Sequence, residues 1–355
     1  MTNITEHNVK YHDGDKQISY LASGPSTGPL LIFIHGWPAI AKTWESQLNL
    51  FGSLGFYAVA PDMPGYGNST ANKNIEDYAH DNIIPGLLAL LEDTGRTEAV
   101  WLGHDWGSGV ISSLVATHPE VCKAMVWMAV PYKTIELGLE EVLKYVNRDM
   151  YPEDKHPKGQ WDYMSFYEES FDKATAWFDQ NIAAFTKKLY SRGNPAILGK
   201  PAFLATVRRD GGWYGGVETL EDVPLANTCL DEATYNDLVT ALQKTGFGPA
   251  DAYYMNHDRN RAFNLEKQKN GGVLEMPCLF IQAKYDVVCD TVTSRLAEPM
   301  AKHCKNYSFT SIDAGHWVAL EKPAEANAAI VQWLCRAVPD WWPGAWQNRI
   351  TTYKK

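Results

Sequence analysis

Ala99-Val100-Trp101-Leu102-Gly103-His104-Asp105-Trp106-Gly107 decides the fold. A short, bounded apolar run passes through a glycine-flanked turn into residues 108–117, which read as a helix. Strand, tight turn and helix together make the context of a nucleophile elbow, and aspartate stands where serine is usual. Glycine at both ends lets the backbone turn sharply. The helix start offers unpaired N–H groups and a positive dipole end to a negative charge. A carboxylate placed there makes an ester with an alkyl carbon rather than an acyl-enzyme.

Outward from the elbow, 30–35, 56–61 and 124–130 are further apolar runs that read as buried strands, with helical patterns at 75–91 and 107–117. Strands alternating with helices imply right-handed crossovers and a mostly parallel sheet covered on both faces, the α/β class. From about Pro131 to about Arg261 strand-like runs vanish. Aromatic-rich segments at 161–171 and 177–190 show helical spacing, interrupted by a Gly/Pro-rich connection at 192–201. The alternation resumes with strands at 277–283 and 307–312 and helices at 292–302 and 323–338. The chain therefore divides into a first core part, 1–132, an inserted helical lid, 133–262, and a second core part, 263–355. Its Trp-rich tail, 340–355, is expected to pack back on the core.

Composition agrees with one large core plus a lid: 355 residues, 45% hydrophobic and 21% charged. A formal net charge of -10 with scattered Lys and Arg argues against nucleic-acid or anionic-membrane partners. The N-terminal stretch lacks the apolar centre of a signal peptide, and no run reaches membrane-spanning length. Six dispersed cysteines without a CxxC pair suit reduced thiols rather than a disulfide frame or zinc site. These features point to a cytoplasmic protein acting on a small neutral molecule, with no metal site; they leave monomer and homodimer both open.

An alkyl ester on Asp105 needs a water-activating base and a carboxylate that orients it. His316, in Ile312-Asp313-Ala314-Gly315-His316-Trp317, lies just beyond the last strand. Asp286 follows the strand at 277–283 directly, with Asp290 a little further on. Asp105, Asp286, His316 is the chain order nucleophile, acid, base. In His35-Gly36-Trp37-Pro38, the Trp37 backbone N–H is expected to join that of Trp106 as an oxyanion hole, and the peptide before Pro38 is a candidate cis bond.

With HGWP, GHDWG, the Asp286 loop and AGHW in place, the chain resembles the soluble epoxide hydrolases of the α/β-hydrolase fold over nearly its whole length. The resemblance implies an eight-stranded, mostly parallel sheet flanked by helices with an inserted lid. It also implies cofactor-free conversion of epoxides to vicinal diols, and two lid tyrosines that protonate the departing ring oxygen. Trp161-Asp162-Tyr163 matches the first tyrosine motif and Ala252-Tyr253-Tyr254 the second, picking out Tyr163 and Tyr254, with Tyr253 as competitor. A phenol with pKa about 10 is protonated at neutral pH and can donate, but aromatic residues at helical spacing also simply pack. His35, Trp37, Trp106, Phe166 and Trp317 are expected to contact an apolar or aryl epoxide. The alternative is a haloalkane dehalogenase using the same aspartate, with Trp106 and Trp37 as indole donors to halide. Halide leaves without a proton, so paired tyrosines favour the epoxide. A serine esterase is disfavoured by Asp105 in the elbow, and a non-catalytic binding module has little need of the intact triad.

Overall fold

The computed structural model describes residues 3–344, so the part of the expected tail arm beyond Gly344 lies outside the described residues. Eight strands form one sheet: β1 (Thr5–Tyr11), β2 (Lys16–Ser23), β3 (Leu30–Ile34), β4 (Tyr57–Pro61), β5 (Ala99–His104), β6 (Cys122–Met128), β7 (Leu274–Ala283) and β8 (Cys304–Ile312). Their order is β1-β2-β4-β3-β5-β6-β7-β8. β1 and β2 pair antiparallel, as do β2 and β4, and every other pairing is parallel.

The central strands are continuous apolar runs because both faces are covered. Along β3, Leu30, Ile32 and Ile34 pack into one core while Leu31 and Phe33 pack into the other. The covering helices are α1 (Glu45–Ser53), α2 (His80–Asp93) and α3 (Trp106–Thr117), all twelve residues of α3 being buried. Between β6 and β7 the chain runs through α4 (Leu139–Val142), α5 (Asp162–Leu189), α6 (Glu232–Thr245), α7 (Phe247–Asp251) and α8 (His257–Lys267). After β7 come α9 (Glu298–His303), α10 (Val318–Glu321) and α11 (Pro323–Ala337). No helix among the described residues is long and apolar enough to cross a membrane.

Five elements differ from expectation. β1 and β2 gave no apolar run, because β1 alternates exposed and half-buried positions at the sheet edge. β6 ends at Met128 rather than 130, where Ala129 turns to φ 66°. The two helical segments at 161–171 and 177–190 are one run, α5, broken at Ser170 (φ -146°, ψ 43°). The helix expected over 292–302 is only α9. Asp290 Oδ1 accepts the N–H groups of Val292 and Thr293 in a turn, and Pro299, lacking an N–H, sits in the first turn of α9, where proline belongs. The tail's described start does meet the core: Trp341 Nε1 donates to Leu30 O at 3.2 Å, and Trp342 meets Phe56 edge to face.

Candidate active site

The site lies at the carboxyl ends of β3, β5, β7 and β8, where open α/β sheets bind ligands. Asp105 caps α3 with φ 54° and ψ -128°, a conformation that costs a non-glycine residue about 1–3 kcal/mol. The turn has room for nothing larger than glycine on either side. A β-carbon on Gly107 would fall 2.2 Å from Ile34 O, and one on Gly103 would fall 2.8 Å from the Gly107 backbone. Such close backbone approach holds the Asp105 side chain toward the loop after β3. There the Trp37 N–H donates to Asp105 Oδ1 at 2.7 Å. The Trp106 N–H flanks the same space, since a β-carbon on Gly36 would touch both it and Oδ1. The Trp37–Pro38 peptide is cis.

His316 Nε2 lies 3.4 Å from Asp105 Oδ2, and its Nδ1 lies 2.8 Å from Asp286 Oδ2. Asp286 Oδ1 accepts from the backbone N–H groups of Val288 and Cys289. Burial pushes the Asp286 carboxyl up, but His316 and these two amides outweigh it and hold it below the usual range. Burial likewise pushes the His316 imidazole down, and Asp286 and Asp105 reverse that, holding it up to about 10. Asp290, the alternative acid, spends its carboxylate on its own turn. Asp286, Cys289 and His316 also bring three potential metal-ligand atoms within 4.8 Å, but His316 Nδ1 and Asp286 Oδ2 are bonded to each other.

Above this lie the helices from between β6 and β7. Tyr163, in the first turn of α5, and Tyr254, just after α7, are buried, with ring centroids 5.7 Å apart. Tyr254 stands edge-on to Trp106 at 5.0 Å and to Trp37 at 5.6 Å. Burial drives both phenols well above the ordinary tyrosine range, and Asp105 adds to it, so both hold their protons. Tyr253 instead donates its hydroxyl to Pro64 O at 2.8 Å. A cleft of about 400 Å³, lined by Leu189, Phe203, Trp213, Val288, His316 and Trp317 among others, opens beside the base, the size of a small-molecule pocket.

Two expected substrate contacts, His35 and Phe166, are placed differently, and a third, Trp317, has a double role. His35 spends Nδ1 on Gly36 O and accepts the Met63 N–H at Nε2; burial lowers it to about 4, so this neutral ring pins two loops. Phe166 borders a separate cavity of about 60 Å³ with Trp177 and Trp213. Trp317 lines the cleft, yet it also stacks on Tyr190 at 3.8 Å and donates to Leu189 O, which makes it seam packing as much as wall. The Trp37 indole N–H is likewise engaged, donating to Asp251 Oδ1 at 2.8 Å, whereas Trp106 Nε1 is buried without a partner. Sequence reasoning missed Asp251, Tyr190, whose hydroxyl donates to Pro38 O, and His104, whose Nε2 meets the His316 carbonyl at 2.7 Å. Nothing local in the chain marks these contacts.

A family model described as alpha/beta hydrolase fold matches residues 29–180. The chain is 27% identical to the pig (Sus scrofa) bifunctional epoxide hydrolase 2 over 87% of this chain and 52% of that protein, so it spans about half that relative's length. It is 26% identical to Mycobacterium tuberculosis epoxide hydrolase A, over 90% of this chain and 94% of that one. The crystal structure of epoxide hydrolase A from Mycobacterium thermoresistibile superposes with a TM-score of 0.75 at 25% identity, covering 94% of this chain and 99% of that one. By strand order, elbow and relatives, the chain has the α/β-hydrolase fold and is similar to epoxide hydrolases of that fold.

Proposed function

We propose that the protein hydrolyses an apolar or aryl epoxide to a vicinal diol through an ester on Asp105. The observation that carries this reading is a buried carboxylate seated on a backbone N–H, with two buried phenols near enough that its charge helps to keep them protonated. Asp105 Oδ1 occupies the Trp37 N–H, so Oδ2 attacks the oxirane carbon and becomes the ester oxygen. The breaking C–O bond leaves an alkoxide, to which Tyr254 or Tyr163 gives its proton. Oδ1 is then the ester carbonyl, already held where the Trp37 and Trp106 N–H groups stabilise an oxyanion.

The second half follows from the same electrostatics. In the resting site two carboxylates hold His316 up near 10, so it is an imidazolium at neutral pH. Esterification removes the Asp105 charge, one of the two groups that raise it, and burial then pushes the ring toward the neutral base, its proton passing to the tyrosinate and restoring the tyrosine. Neutral His316, oriented by Asp286, takes a proton from water as that water attacks the ester carbonyl. Collapse expels the diol oxygen, which takes the proton of the newly added hydroxyl, so Asp105 returns to a carboxylate and His316 is left as the resting imidazolium. The helices between β6 and β7, roughly 133–262, act as the lid that excludes bulk water and brings the tyrosines. The dispersed cysteines favour a cytoplasmic setting.

A haloalkane dehalogenase would need indole N–H groups free for halide, and Trp37 has given its own to Asp251. The test is a paired turnover assay with styrene oxide, read as diol, and 1-bromobutane, read as bromide. Diol without bromide supports the proposal, whereas bromide without diol replaces it with the dehalogenase.

A further inference from the structure

Asp251 is the last residue of α7, three residues before Tyr254, and is fully buried. Its Oδ1 accepts the Trp37 indole N–H at 2.8 Å, while the Trp37 backbone N–H donates to Asp105 Oδ1 at 2.7 Å. One tryptophan thus joins a lid carboxyl to the nucleophile, by its side chain at one end and its backbone at the other. The indole is ringed by Tyr167, Phe178, Phe185, Trp213, Phe247 and Tyr254, with centroids 5.6–6.2 Å away. Edge-to-face aromatic packing tolerates rotation of the ring; a single buried donor–acceptor pair does not.

We propose that Asp251 is a positioning residue, latching the lid segment that carries Tyr254 to the loop that presents the Trp37 N–H to Asp105. The inference rests on the epoxide-hydrolase reading above. Asp251 touches no reacting atom and acts through Trp37. Burial pushes its carboxyl well above the ordinary range and so favours the neutral acid, and among the described residues no cation forms an ion pair with it. Its Oδ2 has no partner, and the buried hydroxyls of Tyr66 and Tyr167 are also unpartnered. A neutral carboxyl in such surroundings is matched in shape and charge by asparagine, whose amide oxygen keeps the bond to the indole, while leucine fills the volume and breaks the bond.

The test uses the full chain with D251N, D251L, W37F and W37F/D251L. Spectra of nitrogen-labelled tryptophan, in which W37F identifies the Trp37 indole signal, report the latch without any turnover. The signal stays in place in D251N and moves in D251L; an unmoved signal in D251L overturns the proposal. In single turnovers D251L slows ester formation about tenfold with KM within about twofold, D251N restores the rate, and D251L adds nothing in the W37F background. Wild-type ester formation in D251L, a D251N as slow as D251L, or additivity of the two substitutions each overturns it. If D251L does not fold, the comparison of D251N with W37F still decides: a D251N as slow as W37F refutes the latch. If the wild type makes no diol, the reading of function fails, while the indole signal still judges the latch.

Discussion

Gly36→Ala should disable the protein without unfolding it. A β-carbon built on Gly36 falls 2.3 Å from Asp105 Oδ1, 2.5 Å from Trp106 N and 2.6 Å from Asp105 Cβ, where ordinary contact begins at 3.4 Å. The methyl group therefore drives the nucleophile or the elbow amide away by about 1 Å. A displacement of that order costs about 100-fold in rate, because attack requires near-contact geometry. Crowding a packed site costs about 1–3 kcal/mol, a fraction of a domain's stability, so the fold persists. The assay pairs diol formation from styrene oxide with thermal melting by circular dichroism. Turnover within about threefold of wild type, less than 1 kcal/mol of barrier, would refute the claim that Trp37, Asp105 and Trp106 form one tightly seated hole.

Three further outcomes follow from the site. His316→Gln keeps the chamber filled but cannot activate water, so the ester accumulates and intact-protein mass rises by the mass of the substrate; unmodified, inactive protein would place His316 before ester formation instead. Tyr163→Phe and Tyr254→Phe each lower turnover by at least about tenfold, whereas Tyr253→Phe keeps turnover and loses about 1 kcal/mol in denaturant unfolding, the value of its bond to Pro64. If Tyr253→Phe is the inactive one, the tyrosines have been misassigned. For pH, the folded pKa of His316, about 10, lies above the unfolded value of about 6.5, so the native state holds the extra proton between them. Stability from this group is full below the unfolded value and is lost as pH rises toward the folded one. The melting temperature should fall across that window more steeply in wild type than in His316→Gln, and equal slopes would contradict the assignment.

The parts of this molecule legible in the sequence are those where physics repeats itself locally. β3, β5 and the inner half of β7 are covered on both faces, so each reads as an unbroken apolar run. The elbow is legible because its turn tolerates only glycine on both sides of Asp105. β1 is half-solvated and left no such trace, and the 292–302 expectation counted apolar spacing without weighing Pro299 and the Asp290 turn. In the site, Asp105, Asp286 and His316 announce themselves by standing just after strands. Asp251 does not, since its meaning is a hydrogen bond to a residue 214 positions away. His35 misled for the related reason that a motif residue beside a site can serve the loops rather than the ligand.

The central claim, that Asp105 itself becomes bonded to the substrate, is tested most directly by a single turnover in water labelled with heavy oxygen, with enzyme in excess over epoxide. If Asp105 attacks, the first diol carries unlabelled oxygen taken from the carboxylate, and the peptide containing Asp105 gains the label. If water attacks the epoxide directly, the first diol carries the label, Asp105 stays unlabelled, and the account is wrong.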